Sequence, residues 1–227
     1  MAKGSVKALK MKILALSDIH ADLYNTEKVL SLVEELDPDL IVLAGDIVHF
    51  SPSKTIYDIL GTLEKTNKKI LAITGNGDSR EVGRVLKKKE FDIHNKGVVH
   101  NRVGFVGFSG PSAVSVSGIP VLNYEAVNYT LSEMKNCERK VLVSHVPPAN
   151  TKVDMLFSGN HVGSEFLRGV IESEQPDLVI CGHVHEARGV DKIGKTTIIN
   201  PGALCDGYAA MIELLENGEI KHEMLRV

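Results

Sequence analysis

Seven oxygen and nitrogen donors stand just beyond short apolar runs of this 227-residue chain. Asp18 and His20 follow the run 12–17, Gly45-Asp46 follows 39–44, and Gly75-Asn76 follows 69–74. His145 follows 140–144, and Gly182-His183-Val184-His185 follows 177–181. Carboxylate, amide and imidazole groups without thiolate suit borderline or harder divalent cations. Alternate residues of an extended chain point to the same side. Asp18 with His20, and His183 with His185, can therefore close on one ion or straddle two. Glycine ahead of Asp46, Asn76 and His183 lets the backbone turn sharply at each strand end. Seven donors exceed the four of a tetrahedral site. They suffice for two cations roughly 3.5–4 Å apart that share a carboxylate and a hydroxide. A lone Asp-x-His or Gly-Asp is common in ordinary turns. Two histidines spaced by two at a strand end seldom serve packing, and all five segments in one order point to a dinuclear metal site.

The elements that must position these donors follow from hydrophobic patterning. The runs 12–17, 39–44, 69–74, 103–108, 140–144 and 177–181 have strand length, and most are apolar throughout, as in strands buried on both faces. Val29, Leu32, Val33 and Leu36 line one face of an intervening helix. Asn25 is its expected N-cap, and Asp37-Pro38 its stop. Ser51-Pro52 reads as the start of a second helix running toward Thr66. The stretches 124–135 and 163–174 read as two more. Strand–helix–strand order requires parallel pairing with right-handed crossovers, and the carboxyl ends of such strands border the ligand crevice. In the last third, 196–200, 208–214 and 219–225 read as strands with little room for helices. Asn217-Gly218 marks a hairpin turn. The predicted class is α/β, with a mixed sheet or two sheets packed face to face. The stretch 111–120 reads as a long surface loop. Residues 34–46 and 172–183 resemble each other as a helix end, a Pro-Asp turn, an apolar strand and a Gly before a potential ligand.

In this order the segments resemble the calcineurin-like metallophosphoesterases, whose pattern is Asp-x-His, Gly-Asp, Gly-Asn-His, a later His, and Gly-His-x-His. The resemblance runs from Asp18 to His185. It implies a four-layer αββα sandwich, two packed mixed β-sheets flanked by helices. The Lys-rich residues 1–10 read as a flexible tail, and 11–227, which no Pro/Gly-rich linker divides, as a single domain. The resemblance implies one cation held by Asp18, His20, Asp46 and His185, and a second held by Asp46, Asn76, His145 and His183, with Asp46 bridging. The cations would be two divalent ions such as Mn, Fe, Ni, Co or Zn. The implied activity is phosphoester hydrolysis, phosphodiesters foremost, by attack of a metal-bridging hydroxide. Some family members instead act as scaffolds, so a binding protein on the same fold is the alternative. The chain departs from the pattern at Gly77, where the family usually carries a His that approaches the scissile phosphate. Asp78 and His161 are the candidates for a replacement acid, and Asp46 and Asn76 complete the catalytic candidates. Arg188 is a candidate phosphate contact, with a solvated surface Arg as the alternative.

Composition sets the remaining bounds. Apolar residues make up 43% and charged residues 24%, and the net charge is −3. That near-neutral balance gives no footprint for nucleic acid or a membrane surface. The expected partner is a small phosphate-ester substrate. No run approaches the roughly 18 apolar residues of a membrane helix, and the apolar stretch 13–16 is too short for a signal-peptide core. The expected location is the cytoplasm. Three cysteines (Cys137, Cys181 and Cys205) without CxxC spacing argue against a disulfide framework or a Cys-based zinc site. There is no Walker A loop or Gly-x-Gly-x-x-Gly, so no nucleotide cofactor is expected. The basic run Lys87-Lys88-Lys89 reads as a solvated helix end favoured by the helix dipole.

Overall fold

The structure, a computed structural model, describes residues 10–48, 53–109 and 124–227. Its first sheet joins β1 (Met11–Leu16), β2 (Leu40–Ala44) and β3 (Lys69–Ile73) in parallel. It is extended past β1 by antiparallel β10 (Tyr208–Leu214) and β11 (Ile220–Arg226). The second sheet has the order β4-β5-β6-β7-β9-β8. Its parallel centre is β5 (Val103–Phe108), β6 (Arg139–Ser144), β7 (Leu178–Ile180) and β9 (Thr196–Asn200), with β4 (Gly97–His100) and β8 (Gly189–Ile193) antiparallel at the edges. Helices α1 (Leu23–Leu36), α2 (Ser53–Glu64) and α3 (Arg80–Lys88) accompany the first sheet, and α4 (Tyr124–Glu133) and α5 (Glu165–Glu174) the second.

Strand alternation explains the layers. Ile13 and Ala15 of β1 pack between the sheets against Phe105, Val141 and Ile180, whereas Leu14 and Leu16 pack against Val29, Val33, Ile59 and Leu60 of α1 and α2. On the far side, Val106, Leu142 and Val179 pack on Leu131, Leu167 and Ile171. Both faces of each central strand are therefore apolar, which is why these runs lack polar alternation. The result is the two-sheet, helix-flanked α/β sandwich expected from sequence.

Two local details differ from expectation. Helix α1 is capped by Asp22, whose carboxylate accepts the Asn25 N–H at 3.0 Å, so Asn25 lies inside the first turn. The edge strands β4 and β8 had no distinct apolar run; exposed edges need few buried residues, and β4 alternates exposed with half-buried positions. The predicted start of α2 at Ser51-Pro52, residues 1–9 of the predicted tail 1–10 and the loop at 111–120 lie outside the described residues.

The repeated helix–turn–strand unit is a structural repeat. Asp37 and Gln175 both take left-handed backbone (φ 47° and 44°) at the ends of α1 and α5. Asp39 then accepts the Lys12 N–H at 2.7 Å, and Asp177 the Lys140 N–H at 2.8 Å. Each Pro-Asp turn thus fixes the register between a strand and its parallel neighbour, and sends the neighbour's carboxyl end toward the same rim.

Candidate metal centre

The seven donors named above come from the carboxyl ends of β1, β2, β3, β6 and β7, so both sheets feed one rim. Hydrogen bonds lock the strand ends together. Asp18 N–H donates to Gly45 O at 3.1 Å, His20 N–H to Asp46 O at 3.0 Å, and Gly182 N–H to His145 O at 2.9 Å. The two sheets meet where His183 N–H donates to Asp18 Oδ2 at 2.9 Å. Asp18, His20, Asp46 and His183 all adopt positive φ, between 48° and 69°. Left-handed backbone at non-glycine residues is uncommon and gathers at functional sites.

Glycines ahead of three ligands have two different tasks. Gly45, at φ 93°, makes the turn expected of it. Gly75 and Gly182 are not at positive φ; close approach requires them instead. A Cβ on Gly182 would lie 1.7 Å from Ser17 Oγ and 2.6 Å from Asp18 Oδ2. Gly182→Ala is therefore expected to destabilise the fold by at least the roughly 1–3 kcal/mol of an overpacked core site. The fall in urea midpoint measures it; an unchanged midpoint would contradict the packing.

The first donor group comprises Asp18 Oδ1, His20 Nε2 and His185 Nε2. Each imidazole nitrogen lies 3.6 Å from the carboxylate oxygen, and the two are 3.3 Å apart. A cation bonded at about 2.0–2.2 Å holds tetrahedral donors about 3.3–3.6 Å apart. Asp18 is 1% exposed, and its Oδ1 is buried without a hydrogen-bond partner. Such an orphan is costly unless something positive meets it. Asp46 adjoins this group, with a carboxylate oxygen within 4.8 Å of its Asp18 and His20 counterparts.

The second group surrounds His145. Its Nδ1 donates to Ala44 O at 2.8 Å, which directs Nε2 into the site. That nitrogen lies 3.0 Å from Asn76 Oδ1 and 3.5 Å from Asp46 Oδ1. Three lone-pair donors thus converge, and Asp46 stands in contact with both groups. The His183 ring meets the His145 ring edge-on, 5.1 Å between centroids. His183 and His185 therefore fall to different groups. The left-handed backbone at His183 and a 3-10 turn beginning at His185 part them, where an extended chain would align them. An open cleft of about 480 Å³ bounds the site, lined by Asp18, His20, Asp46, Asn76, His183 and His185 together with Cys205 and Asp206.

Cys205 and Asp206 carry no motif that would have marked them. They arrive from the loop after β9, where Ala203 bridges Ser17 and Leu204 N–H donates to Ser17 O at 2.8 Å. Asp206 Oδ2 lies 3.3 Å from His185 Nδ1, a carboxylate behind a ligand-type histidine that fixes its tautomer. Burial, with the charges of Asp206 and Asp18, pushes the Cys205 thiol up to about 11.

The candidate acids are placed elsewhere. The Asp78 carboxylate accepts the N–H groups of Ile47, Val48 and Gly75 at 3.0–3.1 Å, and so ties the β2 and β3 loops together. Burial raises its pKa against those three hydrogen bonds. His161 Nδ1 pairs with buried Asp154 Oδ1 at 2.7 Å and is not among the cleft-lining residues. Arg188 stacks over Tyr208 at 4.4 Å and reaches Leu225 O. At Gly77 the backbone N–H donates to Asp46 Oδ1 at 2.7 Å, so the residue orients that carboxylate without offering a side chain.

Electrostatics follow from this crowding. Burial would raise the Asp18 carboxyl, but His185, His20, His145 and Ser17 hold it well below the carboxylate range. Asp46 is likewise held low, by His145 and the Gly77 N–H against burial. Burial works against protonation of His145, yet Asp46, Asp18 and the Ala44 carbonyl together raise it to about 9. A cation at Nε2 would take the place of that proton. In the metal-free protein the folded state holds the His145 proton more tightly than the unfolded chain, whose value is 6.5. Its stabilising contribution is complete below pH 6.5 and lost as pH rises to about 9. His185 is raised in the same direction, chiefly by Asp18, while His183 is depressed by burial and by His145 and acts below that window. The metal-free melting temperature should therefore fall between pH 6.5 and 9, and His145→Gln should flatten the fall. A melting temperature that rises over this window in the wild type would contradict the pairing.

Comparison with known proteins follows the same lines. The sequence model of the calcineurin-like phosphoesterase superfamily domain matches residues 11–213. The uncharacterized protein MJ1162 of Methanocaldococcus jannaschii is 33% identical over 198 residues, 84% of this chain and 88% of its own. The phosphodiesterase MJ0936 of the same organism is 24% identical over 200 residues, 87% of this chain and 86% of its own. The crystal structure of TT1561 from Thermus thermophilus superimposes with a TM-score of 0.69 at 19% identity, over 95% of this chain and 99% of that one.

Proposed function

The chain belongs to the calcineurin-like phosphoesterase superfamily, and we propose that it is a dinuclear metal-dependent phosphoesterase acting chiefly on phosphodiesters. The observation that supports this most is Asp46, which stands between two convergent donor groups with the orphaned Asp18 Oδ1 beside it. Asp18, His20, Asp46 and His185 would hold one divalent cation, and Asp46, Asn76, His145 and His183 the other. Oxygen and nitrogen donors of this kind accept Mn, Fe, Co, Ni or Zn. When bound, the cations would lower the pKa of a coordinated water and offset charge on phosphate oxygens.

The chain's own groups set the conditions for that chemistry. Ala44 O and Asp206 fix the tautomers of His145 and His185, so both present Nε2 to the site. The Gly77 N–H fixes the Asp46 carboxylate. The open cleft admits a small ester from solvent. With glycine at position 77, and with Asp78 and His161 engaged elsewhere, none of these three positions offers a side-chain acid to the leaving oxygen. Esters of acidic alcohols or phenols, which leave without protonation, are therefore the favoured substrates. The M. jannaschii relative named a phosphodiesterase supports the choice of diesters as the substrate class. Among the described residues, no helix is long and apolar enough to cross a membrane.

A panel of mono- and diesters, assayed with each metal, tests the proposal. Faster cleavage of bis-aryl phosphate than of alkyl monophosphates is expected. Bound metal without hydrolysis of any ester would favour a binding role on the same fold.

A further inference from the structure

We propose that Cys205 is a thiolate ligand to the cation held by Asp18, His20 and His185, and gives that half of the site a preference for thiophilic metals. This rests on the two-cation reading above and adds a donor that the resembled pattern does not contain. Cys205 Sγ and the ring nitrogens of His20 and His185 all lie within 4.8 Å of one another. The Nε2 atoms of these two histidines lie 3.6 Å from Asp18 Oδ1, which is buried and without a hydrogen-bond partner. Sulfur thus stands beside the same pair of imidazoles that flanks the orphaned oxygen.

The sulfur is held there by the backbone. Cys205 N–H donates to Asp18 O at 3.2 Å, and its carbonyl accepts from Asn25 Nδ2 at 3.3 Å. Asn25 is itself anchored to Asp22, the cap of α1, at 2.8 Å. Cys205 is half-buried and lines the cleft. Cys181, in contrast, is fully buried among the residues that pack β7 against α5, with its Sγ 3.6 Å from Ile199 O. Packing accounts for Cys181; the position of Cys205 beside two imidazoles is that of a ligand. On binding, the S–H bond breaks, its proton passes to solvent, and sulfur donates an electron pair to the cation, with no change of oxidation state. A soft sulfur donor favours zinc, cobalt or cadmium over manganese.

Cobalt(II) reconstitution of the full chain tests this without reference to activity. Bound cobalt should show a near-ultraviolet thiolate-to-metal charge-transfer band. Cys205→Ser should lose that band while still binding cobalt, and Cys137→Ser should keep it. Cadmium affinity of Cys205→Ser should fall by at least the roughly tenfold typical of losing an outer-shell partner, with manganese affinity changing much less. Bound cobalt without the band, or a band that survives Cys205→Ser, overturns the assignment and leaves the two-cation reading standing. Failure to bind cobalt at all overturns both.

Discussion

Asp46→Asn is expected to lose metal at both positions and to reduce hydrolysis by more than the roughly 10–100-fold cost of removing an outer-shell partner. The Asp46 side chain is in contact with both donor groups, near Asp18 and His20 on one side and His145 on the other. Asparagine keeps an oxygen for the Gly77 N–H, which now reaches Oδ1 at 2.7 Å. The loop should therefore keep its shape while the negative charge is lost. Removing that charge leaves His145 with Asp18 and the Ala44 carbonyl only, so its imidazole should titrate at lower pH. Metal content, activity and far-ultraviolet circular dichroism, read on the same sample, separate loss of the site from loss of the fold. A folded variant that keeps both metals and full activity would show that Asp46 does not bridge.

The second large effect is a gain. Gly77→His should raise the rate on esters of poor leaving groups by about 10²-fold, the lower end of what a positioned general acid supplies. Phenolic esters should change little, since their leaving oxygen needs no proton. Gly77 is buried and does not adopt positive φ, and its N–H to Asp46 is a backbone contact that survives substitution. Unchanged metal content serves as the folding control. An equal rise on both ester classes would point to a binding effect, and no rise on alkyl esters would mean that position 77 does not face the leaving group.

The parts legible in sequence are those fixed by strand periodicity. Apolar runs without alternation placed the central strands of both sheets, and five of those strands carry a donor at the carboxyl end, so local reading located Asp18, Asp46, Asn76, His145 and His183 on one rim. What escaped depended on contacts between distant segments. Cys205 and Asp206 reach the site only because Ala203 pairs with Ser17, a contact between the end of β9 and the end of β1. Asp78 reads from sequence as a replacement acid, yet its carboxylate is taken up by three backbone N–H groups from two loops that sequence does not bring together. The glycines were recognised, but their reasons differ. Gly45 supplies a left-handed turn, while Gly75 leaves room for Asp46, whose Oδ1 would lie 2.1 Å from an added Cβ. The cap of α1 was misplaced by three residues because Asp22 and Asn25 are both good caps, and they bond to each other.

Stepwise addition of manganese or cobalt to metal-free wild-type protein, with bound metal and bis-aryl phosphate hydrolysis followed together, tests the dinuclear centre most directly. Binding that saturates at two cations per chain, with activity rising chiefly on the second, is the predicted result. Saturation at one cation with full activity, or less than one bound under all conditions, would contradict it.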